Sequence, residues 1–229
     1  MIHATWKKQV RERPRLFLQI QEFNLFPSRY IHPSWVRDGH LAPLFPQKKP
    51  GARLENRLAQ LLLAEFGLTQ DYCFDFSDPW RRLALVQSDQ LRTLLFFAGV
   101  ALFSDELAKT LQKEAVLRIK EQLGERAYRF ALTKAPFLLG GSPRPLPTAE
   151  AVHANNYKKR VLSLGAHCFT QAFTGVPKGL TRRLQLKFPK GESPVFKEHA
   201  ETSARGFFAG LLKKVLLQEV HPQWATLFT

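Results

Sequence analysis

The chain has 229 residues, of which 45% are apolar and 12% aromatic, enough for a sizeable buried core. This composition excludes a low-complexity chain, and the two cysteines, Cys73 and Cys168, exclude a dense disulfide framework. The net charge of +15 favours an anionic partner, whether nucleic acid, anionic lipid or an acidic protein, without choosing among them.

The positive charge lies at the two ends of the chain. Residues 1–50 carry 9 basic and 3 acidic residues and residues 151–229 carry 12 and 4, whereas residues 51–150 carry 13 and 12. Residues 1–15 lack the apolar stretch of a secretory signal peptide, and no apolar run is long enough for a membrane span. We therefore expect a cytosolic protein with reduced thiols.

The N-terminal third combines a proline-rich segment with a clear helix. Residues 15–24 predict a short helix or strand, and five prolines within residues 25–51 predict an ordered loop or turns. Apolar residues then recur at helical spacing over residues 52–66, and Gly67 follows as the expected C-terminal cap.

The middle of the chain predicts further helices. Residues 88–103 are apolar on almost every side, which is typical of a central buried helix. A second Ser-Asp pair at residues 104–105 predicts the start of a new helix that ends at Gly124. The helix after it is expected to end at Pro136.

A stretch rich in proline and glycine, residues 136–148, divides the chain. We predict an N-terminal helical block over residues 1–135, which contains the proline-rich segment 25–51. The stretch 136–148 would connect this block to a basic C-terminal helical part, residues 149–229, packed on the first block as one domain.

The C-terminal part predicts a helix from about residue 149, an interruption over 175–183, a possible short strand over 184–189 and a final helix over about 195–220. Strand content is small throughout. The predicted fold class is therefore mainly α, a compact multi-helix domain around the buried central helix of about residues 88–103, with little or no strand.

No catalytic or cofactor motif stands out. Asp71, Asp75 and Asp78 lie close together in sequence, but their spacing is not that of a calcium-binding loop. The seven histidines form no HxxxH or HExxH pattern, and the phosphate-binding and nucleophile-elbow motifs are missing. We expect no enzymatic activity, no bound metal, no cofactor and no small-molecule substrate.

The basic residues near the C-terminus are candidates for a partner-binding face. They are Lys158, Lys159, Arg160, Arg182, Arg183, Lys213 and Lys214. They could be solvated helix faces, could dock an acidic protein, or could follow nucleic-acid phosphates or an anionic membrane. Residues 91–115 superficially resemble a helix-turn-helix, but the segment in the position of the recognition helix, 105–123, carries three glutamates among its lysines.

The stretch "FNLFPSRYIHPSWV", residues 23–36, has no clean helical or strand period. Pro27 and Pro33 bar a continuous helix and restrain the residues before them, so the chain should fold back as a clasp. We expect Tyr30 and Trp35 to pack on the leucine-rich helix, and His32 to be a hydrogen-bonded turn residue.

This clasp resembles the N-terminal signature of the SctK family, also called YscK, of bacterial type III secretion systems. The matching residues are Phe23, Asn24, Pro27, Tyr30, His32, Pro33 and Trp35. The order of the segments "LENRLAQLLLAEFGL", "LALVQSDQLRTLLFFAGVALFSDEL" and "LGERAYRFALTKAPFLLG" is also similar to that family, so the resemblance covers roughly residues 20–140.

The resemblance implies a non-enzymatic adaptor of the injectisome sorting platform, at the cytoplasmic face of the bacterial inner membrane. Proteins of this kind link the ring protein SctD to SctQ-containing pods, which carry SctL and the SctN ATPase. The alternative function is that of a basic helical nucleic-acid-binding protein.

Overall fold

The computed structural model describes residues 13–37, 41–44, 51–140, 156–196 and 204–228. These residues contain helices and turns but no strand, which confirms the mainly α fold. The α-helices are α1 (Pro14–Leu25), α2 (Ala52–Glu65), α3 (Ser88–Lys109), α4 (Lys113–Leu123), α5 (Glu125–Thr133), α6 (Ala135–Leu139), α7 (Tyr157–Ala172), α8 (Lys178–Leu186), α9 (Arg205–Val215) and α10 (Ala225–Phe228).

Short tight helices connect them. The 3₁₀ segments are Pro27–Arg29, Pro33–Trp35, Ala42–Leu44, Pro79–Leu85, Lys190–Glu192 and Pro222–Trp224. A π-helical turn, Leu216–Val220, continues α9. Three of these 3₁₀ segments begin at the prolines of the N-terminal half, because proline is pre-set for the first position of a helical turn.

The first compact unit comprises Met1–Ser88, Val176–Val195 and Ala225–Thr229. Its apolar centre lies between the clasp, α2 and the end of α8. It contains Ile31, Val36, Leu41, Leu58, Leu62, Leu63, Leu68 and Leu186. Helix α2 is followed by Gly67, whose φ of +62° is the left-handed conformation expected of a C-terminal cap.

The second compact unit comprises Asp89–Gly175 and Phe196–Trp224. Helix α3 is buried on almost all sides between Leu91 and Leu107, as its all-round apolar sequence predicts. Helix α7 packs on α9 and on α4. Between α4 and α5 the chain turns at Gly124, whose φ is +85°, so the predicted end of this helix is confirmed.

Helices α3 and α7 approach each other through two glycines. A Cβ atom on Gly99 would lie 1.9 Å from the carbonyl oxygen of Val161, and one on Gly165 would lie 2.0 Å from that of Leu95. No side chain can occupy that space, so the two backbones are in direct contact. The crossing makes Gly99 a packing residue of the central helix.

Three predicted boundaries are wrong. Helix α3 continues through residues 104–105 to Lys109, because Ser104 is buried within the helix. The helix before Pro136 does end there as expected, since α5 stops at Thr133, and Pro136 lies in the first turn of α6, where its missing N–H is not needed. The expected interruption at 175–183 contains most of α8, and the possible strand at 184–189 is the end of that helix and the turn after it.

The division of the sequence at 136–148 stays a prediction, since residues 141–155 lie outside the described part of the chain. The expected helix start near residue 149 lies there too, and the helix is observed from Tyr157. The final helix is observed from Arg205 and, with its π-helical turn, ends at Val220, before Pro222 as expected.

Candidate functional site

The two prolines of the clasp turn the chain as the sequence predicts. Pro27 and Pro33 each begin a 3₁₀ turn, and His32 before the second turn is extended with φ −70° and ψ 134°. The His32 Nδ1 atom accepts a hydrogen bond from the Ser34 N–H at 3.3 Å. His32 is therefore a hydrogen-bonded turn residue, in agreement with its sequence-based interpretation.

Phe23, Asn24 and Tyr30 fix the first half of the clasp. The Tyr30 hydroxyl donates to the Phe23 carbonyl at 2.8 Å, and the two rings stack with centroids 5.6 Å apart. The Asn24 side chain donates to the Cys73 carbonyl at 2.7 Å and accepts from the Cys73 N–H at 2.8 Å. The Asn24 side chain thus satisfies both backbone hydrogen-bonding groups of Cys73, as a neighbouring strand would, and connects α1 to the segment around Cys73.

Trp35 fixes the second half. Its indole Nε1–H donates to the Phe188 carbonyl at 2.8 Å, and its ring meets Phe66 edge-on at 5.9 Å between centroids. Trp35 and Tyr30 both pack on the apolar cluster of α2, which confirms the expected contact with the leucine-rich helix. The His32 N–H also donates to the Leu186 carbonyl at 2.7 Å, so the clasp is fastened to the end of α8.

We expect Trp35→Ala to lower the melting temperature by several degrees. The substitution removes a half-buried aromatic ring and leaves the Phe188 carbonyl without its donor, a loss of about 2 kcal/mol. A chain of this size loses about 2–4 °C for each kcal/mol. Thermal unfolding followed by circular dichroism measures the change, and Trp35→Phe, which keeps most of the packing, is the control. An unchanged melting temperature would show that the Trp35 ring is not a structural contact.

Two buried cations lie beneath the clasp, and both come from the segment of α8. Lys187 donates from Nζ to the carbonyl oxygens of Ala84 at 2.7 Å and Val86 at 2.6 Å. The same nitrogen lies 5.2 Å from the centroid of the Phe23 ring and 5.3 Å from that of Tyr30. The two aromatic rings and two carbonyls therefore form a lysine cage. Sequence reasoning missed it, because in a strand at 184–189 Lys187 would point to solvent.

Arg183 is the second buried cation. Its guanidinium donates to the carbonyl oxygens of Asn24 and Leu68, each at 3.2 Å, and also to that of Asp71. Burial lowers the pKa of this guanidinium from its ordinary value, but an arginine remains charged. Arg183 thus joins its own helix, α8, to the end of α1 and to the segment after α2.

Burial lowers the pKa of Lys187 to about 7, and the carboxylate of Glu22 opposes this shift. A neutral amine still has two N–H donors for its two carbonyls, so both hydrogen bonds survive deprotonation. Between pH 7 and 10.5 the folded chain has lost this proton while the unfolded chain keeps it, so stability rises with pH in this window.

We expect the native chain to gain stability over Lys187→Met by about 1 kcal/mol for each pH unit between roughly pH 7 and 9.5. Burial raises the pKa of Tyr30 further from this range, so its hydroxyl stays neutral throughout. Denaturant unfolding at several pH values gives the free energy of unfolding of both chains. Because the other titrating groups are the same in the two chains, their contributions cancel in the difference. Parallel stability curves would show that Lys187 keeps its proton.

The candidate basic residues differ in their exposure to solvent. Arg183 is fully buried, so its predicted place on an exposed basic face is wrong. Its neighbour Arg182 is exposed, as are Lys158 and Lys159 at the start of α7. Arg160 pairs with Glu106 at 2.7 Å and lies over the Phe103 ring.

Neither of the two lysines near the end of α9 is fully buried. Lys214 is exposed and donates to the Leu138 carbonyl at 3.1 Å, at the C-terminal end of α6, and Lys213 is half-buried. The binding of a partner by the exposed basic residues remains a prediction. In the described part of the chain, no group of three or more His, Cys, Asp or Glu side chains is placed to hold a metal ion.

Of the helices that the structure describes, none is both long enough and apolar enough to cross a bilayer.

Comparison with known proteins identifies the family. The family model YscK, described as YOP proteins translocation protein K, matches residues 18–229. The chain belongs to the YscK family. This match includes the whole clasp and extends the resemblance seen in residues 20–140 to the C-terminal part, α7 to α10.

A solved structure has the same fold. The cytoplasmic domain of the type III secretion sorting-platform protein PscK from P. aeruginosa superposes with a TM-score of 0.54 at 23% sequence identity. The match covers 87% of this YscK-family chain and 93% of the PscK domain. A search of curated protein sequences gives no match.

Proposed function

We propose that this YscK-family chain is a non-enzymatic cytoplasmic adaptor of a type III secretion sorting platform. It would link the cytoplasmic domain of the inner-membrane ring protein SctD to the SctQ pods that carry SctL and the SctN ATPase. The family match over residues 18–229 carries this proposal. The shared fold with the sorting-platform protein PscK supports it.

Helix α3 supports the adaptor over the alternative of a nucleic-acid-binding protein. The residues that resemble a helix-turn-helix contain no turn at 104–105, since α3 runs unbroken from Ser88 to Lys109. The next helix is α4, which begins at Lys113 and carries Glu114 in its first turn, an unfavourable side chain for a recognition helix at the phosphates. Among the basic candidates, Arg183 bonds backbone carbonyls inside the fold and Arg160 is paired with Glu106, which leaves fewer cations for phosphates.

Binding to the two neighbouring proteins tests the proposal. The full chain, checked for folding by circular dichroism, is titrated with the SctD cytoplasmic domain and separately with SctQ from the same secretion system. We expect the chain to bind each protein and to form a ternary complex with both. A folded chain that binds neither protein would overturn the proposal. Binding to duplex DNA or RNA with steep salt dependence would favour the alternative.

The exposed lysines of α7 are expected to speed association with an acidic partner. Charge reversal by Lys158→Glu with Lys159→Glu should lower the association rate about tenfold at low salt, with little change in the dissociation rate. Stopped-flow or surface plasmon resonance at two salt concentrations separates the two rates. Lys113→Glu, an exposed cation on α4, is the matched control. If the Lys158→Glu, Lys159→Glu chain associated as fast as the Lys113→Glu chain, Lys158 and Lys159 would be only solvated surface.

A further inference from the structure

An open cleft lies at the outer edge of the clasp, within the first unit. Trp35, Phe66 and Leu186 form its apolar wall, and its volume is about 430 Å³. This volume falls in the range of about 300–1,000 Å³ that is typical of ligand sites. The Trp35 and Phe66 rings are only half-buried. The cleft can therefore accept an apolar side chain without any rearrangement of the clasp.

The walls of the cleft are held rigidly from behind. Trp35 is fixed by its hydrogen bond to the Phe188 carbonyl and by its edge-on contact with Phe66. Gln185, which also borders the cleft, donates its amide to the Pro194 carbonyl at 3.0 Å. A preformed aromatic wall loses little conformational entropy when it binds, which favours affinity.

One exposed cation stands at the rim. The Arg182 guanidinium extends to the turn that follows α2, where its Nη1 would lie 3.2 Å from a Cβ atom on Gly67. Arg182 forms no hydrogen bond or ion pair with any residue that the structure describes. Trp and Arg are the residue types most often found at the energetic centres of protein interfaces. The rim thus offers a charged donor next to an apolar wall.

The chemistry of the rim selects the occupant. A free guanidinium binds a carboxylate through two parallel hydrogen bonds, and the aromatic wall takes an apolar side chain. Glu65 also borders the cleft and disfavours a second negative charge on the occupant. Nucleic acid needs several phosphate contacts for useful affinity, and one arginine beside a glutamate does not supply them.

We propose that this cleft binds an acidic segment of a partner protein, with an apolar side chain against Trp35 and Phe66 and a carboxylate on Arg182. The inference rests on the proposed adaptor function in the sense that it names a surface by which the adaptor holds one of its partners. The clasp then has two roles, since its inner side forms the core of the first unit and its outer edge forms the binding wall.

Selection of short random peptides displayed on phage against the full chain tests the cleft without any assumed partner. We expect the enriched peptides to pair a Leu, Phe or Trp with an Asp or Glu a few residues away. Each synthesised peptide should bind Arg182→Glu about tenfold or more weakly, since charge reversal removes at least 1.4 kcal/mol. Arg57→Glu, an exposed cation of α2 that does not line the cleft, should bind like the native chain.

The same peptides are then tested in competition with the SctD domain and SctQ. Competition with either protein supports both proposals. If the acidic peptides bind the chain but neither SctD nor SctQ does, the cleft proposal is upheld and the adaptor function is overturned. A third outcome is that SctD and SctQ each bind Arg182→Glu as tightly as Arg57→Glu and that the peptides do not compete with them. This result would overturn the cleft proposal and leave the adaptor function in place.

Two further results would overturn the cleft proposal. One is the absence of enriched peptides, or enriched peptides that bind Arg182→Glu as well as the native chain. The other is that the native chain forms a dimer in sedimentation experiments as its concentration rises and that Arg182→Glu does not. The occupant of the cleft would then be a second copy of this chain. Circular dichroism of each variant confirms that loss of binding is not loss of folding.

Discussion

Gly99→Ala is expected to destabilise the chain by about 3 kcal/mol or more, which lowers the melting temperature by roughly 10 °C. The added Cβ would lie 1.9 Å from the Val161 carbonyl oxygen, and backbone atoms cannot move aside as a flexible side chain can. Helices α3 and α7 would have to separate, and the apolar residues around the crossing would lose contacts. Thermal and denaturant unfolding measure the loss.

Two further substitutions check that interpretation. Gly165→Ala, on the opposite side of the same crossing, should have a similar effect, and the double variant should lose less than the two single losses together. Gly210→Ala lies in α9, where an added Cβ meets no atom within 4 Å. That control should gain about 0.5–1 kcal/mol from helix propensity. A Gly99→Ala chain as stable as Gly210→Ala would show that the helices do not touch at this crossing.

The clasp shows how much local sequence can predict. Pro27 and Pro33 restrict the backbone by covalent geometry alone, so the turns and the role of His32 follow from the sequence. The acceptors of the Trp35 indole and the Asn24 side chain cannot be predicted in this way. Phe188 and Cys73 are far away in sequence, and only the folded chain brings them to the clasp.

The errors around α8 have a different physical origin. Pro177 and Gly179 suggest an interruption, but Pro177 precedes the first turn of the helix, and Gly179 is needed because a Cβ there would lie 2.3 Å from the Asp71 carbonyl oxygen. Once residues 178–186 are taken as a helix, Leu180, Arg183 and Leu184 share one face. That spacing was the available signal that Arg183, unlike Arg182, points into the core.

The cleft was only partly predictable. The clasp sequence accounts for Trp35, whose exposed edge is a natural contact surface, whereas Phe66 comes from the end of α2. The closeness of the wall to Arg182 depends on α8 packing beside the end of α2, a contact between segments more than a hundred residues apart. Sequence patterns carry no information on such pairing unless the helix itself is recognised first.

Arg183→Met is expected to lower the free energy of unfolding by about 3 kcal/mol. The substitution removes the cost of burying a cation, but it leaves the carbonyl oxygens of Asn24, Leu68 and Asp71 without their donor. The bonds to Asn24 and Leu68 are buried, and each unsatisfied buried carbonyl costs about 1–3 kcal/mol, so their loss outweighs the relief of the charge. Denaturant unfolding at neutral pH measures the difference.

The neighbouring arginine provides the matched control. Arg182→Met changes the same residue type one position away, at an exposed site, and should stay within about 0.5 kcal/mol of the native chain. The stability of Arg183→Lys should lie between those of Arg183→Met and Arg182→Met. Its single ammonium group cannot reach all the carbonyl oxygens to which the larger planar guanidinium donates. If Arg183→Met unfolded at the same denaturant concentration as Arg182→Met, the three carbonyls would have other donors. The hydrogen bonds by which Arg183 joins α8 to α1 and to the segment after α2 would then not hold the first unit together.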